Sequence, residues 1–420
     1  MHGNLKLNSP LLDKSRQIIG KWYAQGDQAN GVDRKVVYHF QPGSIHELLH
    51  AFGFHVVFPE MNSIHSAVKK LSIEYIHHGD TLGFDQDICG YVRNDMGLMG
   101  GPAKGKSPFG TIPPPDLLVL NQTGCFTYAK WFESLARMYG CPLVMLDIPY
   151  TRNEELNASD KKYIAGQIED LIKVLEEVSG KKFDIDILIE SLGHTRDAID
   201  LYLKLLDIPK ARPTPVDGYF EITSFMGPIT VSRGTVDCVD YYRETIEGIE
   251  KRASEGRSPF GDENFRLVFD GPPPWPSLKE FREMFHKHGA VGVAGTYSRV
   301  TCDYEGMETD ASQPFDFLVD LASRSYFNWN IEKRRNFIHK LAKEFDADGI
   351  VFHSVKSCKP YSIGMLDSRN YFASQTSIPV LFLDSDIADP RFFSNSQIRE
   401  RVDTFMESVA SRNLRMKSTG

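Results

Sequence analysis

The sequence is thin in cysteine: six are spread over 420 residues, and no two stand in a CxxC pair. That excludes a disulfide framework and a self-contained zinc knuckle, leaving free thiols or ligands gathered by tertiary structure. Basic residues are also short, with 48 Lys and Arg against 56 Asp and Glu and a formal charge of -8. Neutralising phosphates requires a basic surface, so no nucleic-acid partner is expected. Long apolar runs are missing too. None approaches the about 18 residues that a membrane helix needs. The opening residues, MHGNLKLNSP, hold no apolar leader core. A cytoplasmic protein without membrane contact is expected.

What is present is a repeated device. Leu117 to Leu120 is a short, wholly apolar run of the kind buried on both faces of a parallel sheet. Asn121 to Gly124 break it, and Phe126 to Tyr139 read as a helix with Ala129, Phe132, Ala136 and Tyr139 along one face. Gly140 ends that helix, Pro142 follows, and Leu143 to Leu146 start a second apolar strand. Cys125 falls in the loop, at the carboxyl end of the strand and the amino end of the helix. Open α/β sheets bind ligands at that edge, and a helix N-terminus favours a thiolate. Gly349 to Asp384 repeats the pattern. Leu118 precedes Cys125 by seven positions, as Val351 precedes Cys358, and Pro142 precedes Asp147 by five, as Pro379 precedes Asp384. Two matched loops about 230 residues apart point to a pseudo-symmetric pair of domains sharing one site.

A length of 420 residues with 41% hydrophobic content allows two or three domains with sizeable cores. Residues 1–34 predict a helical lead-in, centred on Leu11 to Tyr23. Residues 35–158 predict a first α/β domain, with strands at Lys35–Phe40 and His55–Pro59 and helices at Ser44–Phe52 and Ser63–Ile76. Gly100 to Pro115, with five prolines and four glycines, reads as a loop. Residues 159–260 predict a helical connector built from Asp160–Val178, Asp184–Leu206 and Thr235–Ala253. Residues 261–420 predict a second α/β domain, starting with the strand Phe265–Phe269 and closing with the helix Gln397–Ser408. Strands alternating with helices across short Gly/Pro loops mean parallel sheets, so the fold class is α/β.

Cys89, Cys125 and Cys358 all have loop or helix-start settings near expected sheet edges. Three converging thiolates would suit an iron–sulfur cluster or zinc; equally, cysteine is a common small buried residue. Cys302 is a rival at a carboxyl edge. Cys141 and Cys238 read as buried apolar thiols. Glu60 could project a general acid or base into the same crevice, or cap the next helix. His353 reads as a structural, hydrogen-bonded histidine. Phe126, Tyr128, Trp131, Tyr297 and Trp275 are possible linings for a flat substrate, or ordinary core. The Thr-Gly-x-x-Thr loop in QTGCFT is similar to the phosphate cradle of flavodoxin-like proteins, but its counterpart SVKSCKP lacks that pattern.

The blocks DICGYVRNDMG, NQTGCFTYAKWFESLARMYGCPLVMLDIPY, RLVFDGPPPWPSL and DGIVFHSVKSCKPYSIGML with IPVLFLDSD resemble, in order, the benzoyl-CoA reductase / 2-hydroxyacyl-CoA dehydratase family. The likeness runs from about residue 35 to the C-terminus and is greatest to the B-type subunits of the ATP-dependent reductases. The resemblance implies two flavodoxin-like parallel-sheet domains with a helical connector and an iron–sulfur cluster between them. It implies a 4Fe-4S cluster, or a larger one, held by Cys89, Cys125 and Cys358; Cys302 matches no ligand block. It implies a homologous cluster-bearing subunit, ATP-hydrolysing electron-activating subunits, ferredoxin as indirect electron donor, and an aryl-CoA or acyl-CoA substrate. Because ATP would act on those other subunits, no GxxxxGK[ST] phosphate loop is expected here. The implied reaction is radical reduction of an aromatic CoA thioester. The alternatives are water elimination from a 2-hydroxyacyl-CoA through a ketyl radical, or a non-catalytic cluster-carrying role.

Overall fold

The computed structural model describes residues 10–29, 34–107, 109–152, 155–256, 261–300, 303–307 and 309–419. Among them the strands are β1 (Val36–His39), β2 (His55–Val57), β3 (Lys106–Ser107), β4 (Gly110–Thr111), β5 (Leu117–Gln122), β6 (Leu143–Asp147), β7 (Phe265–Asp270), β8 (Ala290–Gly295), β9 (Gly349–Val355) and β10 (Val380–Ser385). Two four-stranded sheets have the orders β2-β1-β5-β6 and β10-β9-β7-β8, every pairing within them parallel. Counted within its own half, each sheet reads 2-1-3-4, the flavodoxin-like order. The chain is thus an α/β protein with two flavodoxin-like halves. In each half the strand order reverses between the first and third strands, so β1/β5 and β7/β9 are the two switch points.

The central strands are where the apolar runs are. Leu117, Leu118, Val119 and Leu120 are fully buried, as are Ile350, Val351 and Phe352, each such side chain contributing roughly 1.5–3 kcal/mol when taken from water. Edge strands are covered rather than left bare. The N-terminal helix Pro10–Ala29 closes β2, Trp22 Nε1 donating to the Val56 carbonyl at 2.8 Å. The connector closes β8: Gly218 N donates to the Gly292 carbonyl at 2.6 Å, and Tyr219 stacks on Phe269 with centroids 4.4 Å apart. The connector helices run Ala158–Ser179, Ile185–Asp207 and Val236–Ser254, the first two capped by Asn157 and Asp184.

Three local expectations are corrected. The run HVVFP is strand only to Val57, because Pro59 begins a helix, Pro59–Val68, and places Glu60 in its first turn. The single helix expected over Ser63–Ile76 is two, Pro59–Val68 and Ser72–Thr81, parted at Lys70 with φ +60°. The loop Gly100–Pro115 contains the small antiparallel ladder of β3 and β4.

The halves are fastened across the site by charge. Arg93, on the helix Gly90–Gly100, is fully buried; Nη1 donates to Asp389 Oδ2 at 3.0 Å and Nη2 to Asp80 Oδ1 at 2.6 Å. Removing one partner of a buried pair strands the other. Arg93→Ala should lower the unfolding free energy by about 3 kcal/mol, read as a lower urea midpoint. An unchanged midpoint would show that the clamp contributes nothing.

Candidate functional site

Cys89, Cys125 and Cys358 are the N-cap residues of the helices Gly90–Gly100, Phe126–Tyr139 and Lys359–Ser362. All three thiols are buried and line one cavity between the two sheets. Cys125 and Cys358 follow the third strand of their respective halves and share nearly the same backbone, φ -118°, ψ 90° and φ -93°, ψ 91°. The repeat is offset by one residue, however. Leu118 N and Ile350 N are the atoms that donate to the carbonyls of Pro142 and Pro379. By that pairing Cys358 is eight positions on, where Cys125 is seven. Gly124 shows why this loop needs glycine: its φ is +78°, and a Cβ would lie 2.3 Å from the Phe327 carbonyl oxygen.

Cys89 is brought in by side chains of the second half. Gly90 N donates to Ser357 Oγ at 3.2 Å, and Ser357 Oγ in turn donates to Asp386 Oδ2. The thiols are close enough to interact, and burial dominates their chemistry. It pushes Cys358 up to about 11 and Cys89 and Cys125 further, Cys358 adding to the rise at both. The helix-start effect expected from sequence acts in the opposite direction, through the first-turn amides of Thr127 and Tyr128 at Cys125, and is outweighed. Among the described residues no three His, Cys, Asp or Glu side chains gather tightly enough around one point for a single metal ion.

Glu60 lines the same cavity and is buried. Its Oε1 accepts from Gln41 N at 2.9 Å, while Oε2 has no hydrogen-bond partner among the described residues. Desolvation pushes this carboxyl up to about 8. Tyr361 Oη is a second bare polar atom in the cavity wall. Sequence reading did not single out Tyr361 or Tyr91; an isolated tyrosine beside a loop carries no pattern. Tyr91 and Tyr297 are joined hydroxyl to hydroxyl at 3.2 Å, and Trp275 Nε1 donates to Tyr91 Oη at 2.6 Å.

Other expected residues fall elsewhere. Phe126 points to solvent at 80% exposure, and Trp131 is core, donating to Asp95 Oδ2 at 3.2 Å, so neither lines the cavity. Tyr128 and Tyr297 do. His353 is structural: Nε2 is 2.6 Å from Ser385 Oγ, Nδ1 meets the Pro272 carbonyl, and burial lowers it to about 4. Cys238 is buried in its helix, whereas Cys141 is only half-buried. Cys302 lies outside the described residues.

The expectation of no phosphate-loop pattern is corrected by the letters themselves, since Gly100 to Ser107 spell GGPAKGKS. The context is wrong for one. This stretch starts at the C-terminus of the helix Gly90–Gly100 and enters β3, so carbonyls rather than amides point along it. A phosphate cradle needs a strand before and a helix N-terminus after.

Two doubly wound halves closed over a thiol-lined cavity form a ligand-binding α/β protein of the switch-point type. Comparison with known proteins makes the class specific: the chain belongs to the family described as 2-hydroxyglutaryl-CoA dehydratase, D-component, which it matches over residues 45–409. It is 37% identical over 420 aligned residues, 96% of each chain, to the B-type subunit of benzoyl-CoA reductase from Thauera aromatica. It is 28% identical to the (R)-2-hydroxyisocaproyl-CoA dehydratase alpha subunit of Clostridioides difficile, covering 87% of this chain and 88% of that one. The (R)-phenyllactyl-CoA dehydratase alpha subunit of Clostridium sporogenes is similar at 27%, with the same coverage. Among the described residues no helix is long and apolar enough to cross a membrane.

Proposed function

We propose that the chain is the iron–sulfur subunit of an ATP-dependent aryl-CoA reductase that dearomatises a benzoyl-CoA-type thioester. The observation that carries this is the 37% identity, over almost the whole chain, to a component of a benzoyl-CoA reductase. Cys89, Cys125 and Cys358 would hold a 4Fe-4S cluster, or a larger iron–sulfur cluster. The donor set fits such a group. Three thiols that burial keeps protonated are deprotonated outright on binding metal, and their spread suits separate corners of a cluster better than one ion. When bound, the cluster supplies low-potential electrons one at a time.

The chain's own residues do the rest. Tyr91, Tyr128, Tyr297 and Tyr361 wall the cavity and keep water from the reacting ring. Glu60 is the proton donor. Gln41 N–H anchors Oε1, Oε2 is bare, and burial keeps the carboxyl protonated until about pH 8. Substrate radicals formed by single-electron steps would be quenched by that proton. Reduced ferredoxin would feed ATP-hydrolysing electron-activating subunits, with a homologous cluster-bearing partner next to this chain, in the cytoplasm.

A second reading is favoured by the family description and by the dehydratase relatives. In it the same site eliminates water from a 2-hydroxyacyl-CoA, and the electron is recycled. The test is anaerobic purification with co-purifying subunits, iron and sulfide determination, and incubation with ATP, a strong reductant and benzoyl-CoA. ATP-dependent conversion to a cyclic diene is expected. Dehydration of a 2-hydroxyacyl-CoA by a complex inert to benzoyl-CoA would install the second reading, and a complex without iron would overturn both.

A further inference from the structure

A second cavity adjoins the thiol-lined one, occupying about 900 Å³ counting its open mouth, within the usual range for ligand sites. The helix Pro10–Ala29 forms one wall through Leu12 and Ile19, the helix Pro59–Val68 another through Met61 and Ile64, and the connector a third through Met226. Gln41 and Tyr297 line both cavities. Gln41 is fixed at the junction: Nε2 donates to Thr230 Oγ1 at 2.9 Å, and its main-chain N–H holds Glu60. Whatever reaches Glu60 from this side passes Gln41 and Tyr297.

The wall chemistry is specific. It is mainly aliphatic, but Ser15, Thr223, Ser224 and Thr230 place hydroxyls along it. Thr223 Oγ1 is buried with no hydrogen-bond partner among the described residues, a state that costs free energy unless a ligand supplies the partner. Arg16 stands at the mouth with its side chain 56% exposed and 2.7 Å from Asp13. An exposed pair of this kind is weak and easily exchanged for a phosphate.

We propose that this cavity holds the pantetheine arm of the CoA thioester. The acyl group is then directed past Gln41 and Tyr297 to Glu60, and the nucleotide phosphates lie at Arg16. A slender, largely apolar arm with two amide groups matches an aliphatic channel studded with hydroxyls. The inference rests on the thioester reading above and adds where the thioester lies.

Its test compares benzoyl-CoA with benzoyl-pantetheine, which lacks the phosphates, as substrates of the holo complex. Ile19→Trp fills the channel and should raise KM for both probes at least about tenfold, with iron content unchanged. Arg16→Gln, on an exposed helix face, should raise KM about tenfold for benzoyl-CoA alone. An iron-replete Ile19→Trp complex with wild-type KM for both probes, or an Arg16→Gln complex that treats the two alike, would overturn the assignment. A wild-type complex inert to benzoyl-CoA and 2-hydroxyacyl-CoA alike would overturn the functional reading, and this assignment with it.

Discussion

Replacing Cys125 with serine is expected to remove the iron bound by this chain and to abolish turnover, without unfolding it. Thiolate is the ligand iron–sulfur clusters use, and a buried hydroxyl is a poor substitute. The fold should tolerate the change because Cys125 is the N-cap of the helix Phe126–Tyr139. Serine is a favoured residue there, its oxygen accepting a first-turn N–H. That offsets the roughly 1–3 kcal/mol of leaving a buried hydroxyl unsatisfied. Loss of iron with an unchanged circular dichroism melt therefore reads as loss of a ligand. Cys141→Ser, at a half-buried position outside the cavity, should leave iron and rate intact. Retention of full iron content and activity by Cys125→Ser would refute the ligand assignment.

Glu60→Gln should keep the iron and lower kcat by about 10²–10⁴-fold, the usual worth of a positioned acid. Glutamine can still accept from Gln41 N–H, so the anchoring contact at Oε1 survives. The same substitution has a signature in stability. Burial raises the Glu60 carboxyl from 4.5 to about 8, so the folded state holds this proton more tightly than the unfolded chain. Its favourable contribution is complete below pH 4.5 and is lost as pH rises through 8. Glu60→Gln should therefore be flatter than wild type in urea midpoint between these values. The alkaline limb of kcat near pH 8 should also disappear. A variant with wild-type kcat, or with an unaltered pH profile of stability, would remove Glu60 from the mechanism.

Much of this architecture is legible in the sequence because parallel strands buried on both faces leave an unmistakable trace. LVL and IVF runs closed by Gly, Pro or Asn locate β5 and β9, and the same punctuation gives the helix Phe126–Tyr139 to the residue. Period-3.6 stripes place the connector helices within two residues of their observed ends. Where the reading slipped, a local pattern had two outcomes that only neighbours could choose between. Apolar positions continue through Ser63–Ile76, yet Lys70 turns the chain there. Phe126 and Trp131 both belong to an aromatic-rich helix, but one faces water and the other is core. GGPAKGKS has the letters of a phosphate loop at the wrong end of a helix.

The sequence by itself determined that two βαβ units each carry a cysteine at a strand's carboxyl end, because periodicity and turn residues are local properties of the chain. The tertiary structure alone decided that Cys89 joins them, through Gly90, Ser357 and Asp386 from opposite halves. It also decided that Glu60 is a bare, proton-holding carboxyl, since desolvation depends on everything packed around a side chain and not on its neighbours in sequence. The channel beside Gln41 and Tyr297 likewise exists only where three separate segments meet.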